Sequence, residues 1–200
     1  MSEKLQVIVL ASGRGSNFKA VLDAIDSGQL KGCQISGLIT DRLHTGAAVV
    51  ARQAGIAVFE LDYQSYSARS AFETELQQVL AEHSPDYILA LGFMRILPPE
   101  LVRRYRRRIV NIHPSLLPAF KGMHAQKQAF DYGVKISGCT VHLIDEGVDT
   151  GPILDQQAVD IRQARSADEA AALILKAEHP LLIRALQQLT RSPRTAGTTH

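Results

Sequence analysis

Two residues near the middle of the chain have the types and spacing of an acid/base site. Asn111 and His113 stand two apart at the end of the apolar run Ile109–His113, and Pro114 stops the run. Residues two apart on a strand face the same side, so an amide and an imidazole project together. Such a pair can hold and polarise a carbonyl oxygen, because imidazolium and amide N–H both donate to charge developing there. Further on, a second apolar run leads into the acidic turn Asp145-Glu146-Gly147-Val148-Asp149-Thr150-Gly151. A carboxylate beside the histidine favours its charged form. Asp149 is the candidate, since its turn leaves the edge of the same sheet. Asp145 and Glu146 compete with it, and spacing does not choose among the three.

No activated nucleophile accompanies these groups. There is no G-x-S-x-G, and Cys33 and Cys139 lie in apolar runs without metal-ligand spacing, where small buried hydrophobes are expected. The chemistry that remains is direct transfer between two bound substrates, without a metal. The protein supplies position, oxyanion stabilisation and proton handling. Of the other histidines, His142 alternates within a strand and reads either as a satisfied core residue or as support behind the site.

These groups need a scaffold, and the chain predicts one. Gln6–Ala11 is a β-branched buried strand, followed by Ser12-Gly13-Arg14-Gly15-Ser16-Asn17 and a helix from Phe18 to Ile25. Strand, glycine loop and helix form an anion-binding arrangement. The bland alternative is a tight turn capped by Ser16 or Asn17. Further strands are expected at Cys33–Thr40, Ile56–Leu61, Asp86–Leu91 and Ile109–His113, alternating with helices at Gly46–Gln53, Ser67–Glu82, from Pro98-Pro99, and Met123–Tyr132. That alternation implies a mostly parallel sheet with helices on both faces. Ser137–Ile144 and Pro152–Val159 have a short connection and form an antiparallel edge pair. The loop Gly92-Phe93-Met94-Arg95-Ile96-Leu97 sits at a strand's carboxyl end, where α/β sheets place ligands. Ser70–Glu73 and Ser166–Glu169 match capping boxes, and Pro180 should kink or interrupt the last helix.

The totals bound the rest. Two hundred residues, 46% hydrophobic and 21% charged, suit one soluble domain. Residues 1–190 are expected to be that domain and 191–200 a frayed tail. A net charge of +2 gives no nucleic-acid footprint, and the arginines at 103, 104 and 106–108 read as the solvated end of a helix. No signal peptide or membrane span is evident, so a cytoplasmic protein, monomeric or weakly dimeric, is expected.

The block Asn111-Ile112-His113-Pro114-Ser115-Leu116-Leu117-Pro118, with Asp149-Thr150-Gly151-Pro152, resembles the formyltransferase family that uses 10-formyltetrahydrofolate. Ser12–Asn17 and Gly92–Leu97 narrow the resemblance to its purine-biosynthetic branch, which acts on glycinamide ribonucleotide. The resemblance spans about residues 5–185. It implies a single-domain, Rossmann-like formyltransferase fold. It implies that Gly15, Ser16 and Asn17 hold the ribotide phosphate and that Glu178 contacts the glycinamide. It implies folate contacts from Arg69, Met94, Arg95, Ile96, Leu97, Asn111, Asp145, Glu146, Gly147, Val148 and Asp149. Without it, Arg69 reads as a surface cation. It also selects Asn111, His113 and Asp149 as the catalytic trio. A tRNA-acting member is expected to add a C-terminal domain, and a hydrolase an N-terminal one. The expectation for this chain is neither. A rival from another class is a non-catalytic nucleotide-binding module.

Overall fold

A computed structural model describes residues 4–191. Most of the tail expected over 191–200 lies outside the described residues; Arg191 itself ends the last helix.

Seven strands build one sheet. β1 (Leu5–Leu10), β2 (Cys33–Thr40), β3 (Val58–Glu60), β4 (Tyr87–Ala90) and β5 (Ile109–His113) run parallel, in the order β3-β2-β1-β4-β5. β6 (Ile136–Leu143) is antiparallel to β5, and β7 (Ile153–Asp160) is antiparallel to β6. The antiparallel pair β6–β7 lies at the sheet edge, as expected. The chain steps outward from β1 in one direction and then restarts at β4 on its other side. A crevice opens where loops leaving two such strands part company. Here those loops are the glycine loop after β1 and Leu91–Pro98 after β4.

Alternation along β1 explains the layers. Val7 and Val9 face α1 (Ser16–Asp26), α2 (Gly46–Gln53) and α6 (Ala167–Arg191), in a core with Phe18, Val21, Ala47, Ala51, Leu181 and Leu182. Ile8 and Leu10 face α3 (Arg69–His83) and α4 (Pro99–Arg104), against Phe72, Leu76, Leu80 and Leu101. Both faces of the strand are buried, so it reads as a continuous apolar run. On β5, Ile109 packs on the α3–α4 side, while Val110 and Ile112 pack on the opposite side. Asn111 and His113 share the parity of Ile109 and so lie on the α3–α4 side. α5 (Ala125–Tyr132) rests on α6.

Several helix starts differ from expectation. Gly15, not Ser16 or Asn17, is the N-cap of α1; its φ of 79° is left-handed, and no side chain caps the helix. Ala68 caps α3, so Ser70 lies inside the helix and forms no capping box; Glu73 pairs with Arg69 instead. Ser166 does accept the Glu169 N–H at 3.1 Å, but the Glu169 carboxylate takes the Arg165 N–H rather than returning to Ser166. α5 begins at Ala125, after a left-handed His124 (φ 59°). α6 passes Pro180 without interruption; tertiary burial of Leu181, Leu182, Ala185 and Leu186 on the far side sustains it.

Candidate active site

Strand pairing brings the acid/base groups together. Asn111 is opposite His142 and His113 is opposite Thr140 across β5 and β6. The Asn111 amide lies 3.0 Å from His142 Nε2. His142 Nδ1 donates to the Leu143 carbonyl at 3.0 Å, which leaves Nε2 of the neutral ring as an acceptor for Asn111. His142 therefore contacts Asn111 and Asp149 as well as being buried. Spacing along β6 alone did not reveal this; the antiparallel register opposite Asn111 is the signal that would have.

Asp149 completes the cluster from the turn joining β6 to β7. Its Oδ2 stands 3.3 Å from His113 Nδ1 and accepts the Gly122 N–H at 2.8 Å, and its Oδ1 is 3.6 Å from His142 Nε2. The backbone there is left-handed, with φ 50°. Burial by itself would raise this carboxyl. His142, the Gly122 N–H and His113 beside it outweigh burial and hold Asp149 down at about 2. The other two acids of the turn are occupied elsewhere. Asp145 accepts from the Gly147 N–H and the Thr150 hydroxyl, and Glu146 is exposed, 3.6 Å from Arg103. Asp149 is the carboxylate that geometry places against His113.

His113 is 5% exposed, so its partners matter. Nε2 donates to the Phe120 carbonyl at 2.9 Å. With Asp149 on the other nitrogen, both neighbours are acceptors, an arrangement that a doubly protonated ring satisfies in full. The turn that follows is held as firmly. The Thr140 hydroxyl donates to the Ser115 carbonyl (2.7 Å) and accepts from the Leu117 N–H (3.1 Å) and the Gln156 amide (2.9 Å). Gln156 donates also to the Leu117 carbonyl at 2.9 Å. Every hydrogen-bonding capacity of that hydroxyl is used. Gln156 and Thr140 were not singled out from the sequence, because nothing local marks a strand glutamine as a clamp.

The glycine loop forms a second, separate part. A Cβ on Gly15 would meet Ala47 Cα at 2.7 Å, and one on Gly46 would meet the Arg14 carbonyl oxygen at 2.7 Å. The loop and the start of α2 therefore touch backbone to backbone. The uncapped start of α1 leaves N–H groups with no intrahelical partner, and Gly15, Ser16 and Asn17 are all partly exposed there. Asn17 donates to Glu178 of α6 at 2.7 Å. Glu178 is buried, and burial pushes its carboxyl above the usual range against the opposing Asn17 bond.

The third part is the loop after β4. Leu97 is core, whereas Met94 and Ile96 are exposed, as is Val148 on the acidic turn. Met94 donates its N–H to Ser12 Oγ at 2.9 Å. Arg69 lies at the start of α3 and donates to the Ile96 carbonyl at 3.4 Å. The Arg95 guanidinium turns inward, to Asp41 at 2.7 Å. Among the described residues, no group of three or more His, Cys, Asp or Glu could hold a metal ion, and no helix is long and apolar enough to cross a membrane.

The formyl transferase family model matches residues 5–186. Phosphoribosylglycinamide formyltransferase of Mycobacterium tuberculosis is 38% identical over 199 residues, 99% of this chain and 91% of its own length. The trifunctional purine biosynthetic protein adenosine-3 of Drosophila melanogaster is 43% identical over 185 residues, and the matched region is 14% of that protein's length. The crystal structure of glycinamide ribonucleotide transformylase 1 from Symbiobacterium toebii superposes with a TM-score of 0.90 at 35% identity, covering 95% of this chain and 89% of that one.

Proposed function

This chain belongs to the formyl transferase family, and from that premise we propose that it transfers a formyl group from 10-formyltetrahydrofolate to the glycyl amine of glycinamide ribonucleotide, a step of purine biosynthesis. The observation that carries the reading is the cluster of Asn111, His113 and Asp149 at the end of β5. In this reading the chain acts in the cytoplasm, on small-molecule substrates.

The ribotide phosphate binds the open N–H groups of Gly15, Ser16 and Asn17, where the helix start favours an anion. Glu178 faces the glycinamide end beside Asn17. The folate ring system lies against Met94–Leu97 and the turn Asp145–Asp149, with Arg69 towards its acidic tail.

The glycyl nitrogen then attacks the formyl carbon, and the carbonyl electron pair moves to oxygen. His113 Nε2 donates to that oxygen in place of the Phe120 carbonyl. Asn111 adds an N–H, since one of its two amide hydrogens remains after the bond to His142. Asp149 keeps its negative charge at working pH because its carboxyl sits at about 2, and so it balances the imidazolium. When the tetrahedral centre collapses, the bond to the folate nitrogen breaks. That nitrogen receives the proton given up by the attacking amine.

A spectrophotometric assay of tetrahydrofolate formation, with and without glycinamide ribonucleotide, tests the reading. Product should form only when the ribotide is present. Release without it would make the chain a hydrolase, and no release under either condition would leave a nucleotide-binding module.

A further inference from the structure

Three successive residues of the loop after β4 are tied down by three different elements. The Met94 N–H is held by Ser12 beyond β1, and the Ile96 carbonyl by Arg69 of α3. Between them, Arg95 Nε binds Asp41 Oδ2 at 2.7 Å, just beyond β2. Its guanidinium carbon also lies 3.8 Å from the centre of the Tyr63 ring. Asp41 is fully buried, and the Tyr63 N–H donates to the Asp41 carbonyl at 3.0 Å, so acid, ring and arginine form one unit. Asp41 Oδ1 has no hydrogen-bond partner among the described residues. A buried carboxylate is costly unless paired, and Arg95 is the charged partner that Asp41 has here.

This arrangement changes what Arg95 can do. A guanidinium clamped between a buried carboxylate and an aromatic face is not free to reach a ligand. We propose that Asp41 is a positioning residue for the folate subsite: it anchors Arg95 inward, so that Met94–Leu97 meets the pterin through backbone groups and the Met94 and Ile96 side chains. The proposal rests on the folate reading above for its ligand, but not for the anchoring itself. Asp41, Arg95 and Tyr63 form none of these bonds with Gly15–Asn17, and the loop after β4 meets the glycine loop at Ser12, so the effect falls chiefly on the folate subsite.

The experiment has two arms. Calorimetric titration with tetrahydrofolate under anaerobic conditions, and separately with glycinamide ribonucleotide, compares the unaltered chain with Asp41→Leu, Arg95→Met, the double variant and Asp41→Asn. Asp41→Leu should weaken tetrahydrofolate roughly ten-fold, the loss expected when a charged hydrogen-bonding partner is removed, and leave ribotide affinity unchanged. Arg95→Met should do the same, and the double variant should add nothing further. Asp41→Asn should recover most of the loss, because its amide oxygen still accepts from Arg95 Nε. In the second arm, hydrogen exchange without ligands should quicken at Gly92–Leu97 in Asp41→Leu and stay unchanged at Gly13–Asn17. If Asp41→Leu fails to fold, Arg95→Met carries both arms. Unchanged folate affinity, equal loss of both ligands, or unchanged exchange at Gly92–Leu97 would overturn the proposal. An unaltered chain that binds no tetrahydrofolate would overturn the folate reading instead, and the exchange arm would still decide the anchoring.

Discussion

Asp149 Oδ2 lies 3.3 Å from His113 Nδ1, and the same oxygen accepts the Gly122 N–H. One carboxylate thus joins the strand that carries the imidazole, the loop that follows it and the turn beyond β6. Loss of this contact should disturb both charge and loop position.

Asp149→Asn separates those two effects, and asparagine tolerates the left-handed backbone found here. The Asp149 carboxyl is depressed from 3.8 to about 2. Its stabilising contribution is therefore present above about pH 3.8 and disappears as pH falls through about 2. Urea denaturation should find the variant less stable than the parent between pH 5 and pH 7, with the gap closing towards pH 2. A gap that widens in acid would contradict the ion pair.

Asn111→Ala and His113→Ala should each leave a folded protein with turnover reduced roughly 10²–10³-fold, the usual cost of one oxyanion donor. Circular dichroism and the folate-release assay check both halves. Near-parental turnover in either variant would remove these residues from the transfer step.

Gly15→Ala meets two obstacles, a φ of 79° and the Ala47 backbone at 2.7 Å. The variant should lose roughly 1–3 kcal/mol of stability and bind the ribotide more weakly, while tetrahydrofolate affinity is retained. Thermal melting and titration of each ligand provide the check.

Gln156→Leu removes two donors from the turn after His113. With the Leu117 carbonyl and the Thr140 hydroxyl left short of a partner, stability should fall by roughly 1–3 kcal/mol. Turnover should fall more than the affinity for either substrate. A variant whose turnover is intact despite the stability loss would show that the clamp is not needed to place His113.

Much of the scaffold is legible along the chain, for reasons visible in β1 and β5. Strands buried on both faces show as unbroken apolar runs, and the strand-loop-helix at residues 5–26 announces itself through its glycines. The helix starts are less legible. Ser70 and Glu73 have capping-box spacing, but Glu73 finds Arg69, and the helix is entered from Ala68, two residues before Ser70. Proximity across strands is harder still. His142 becomes a partner of Asn111 only through the β5–β6 register, and Asp41 meets Arg95 only because the loop after β4 crosses β1. Asp149, Asp145 and Glu146 are chemically similar in sequence. Backbone geometry in the turn separates them: Asp149 turns inward, Asp145 is engaged within the turn, and Glu146 points out towards Arg103.

The Thr140 hydroxyl gives one donor bond and receives two. Viewed as a constraint on substitution, such a group leaves almost no freedom: valine copies its shape and loses all three bonds, and asparagine brings hydrogens where lone pairs are required. Serine alone keeps the pattern, at the expense of a methyl group. Selection for purine prototrophy from a library randomised at this codon should therefore return threonine, with serine behind it. A position with no catalytic role would then be nearly as invariant as the histidine it supports.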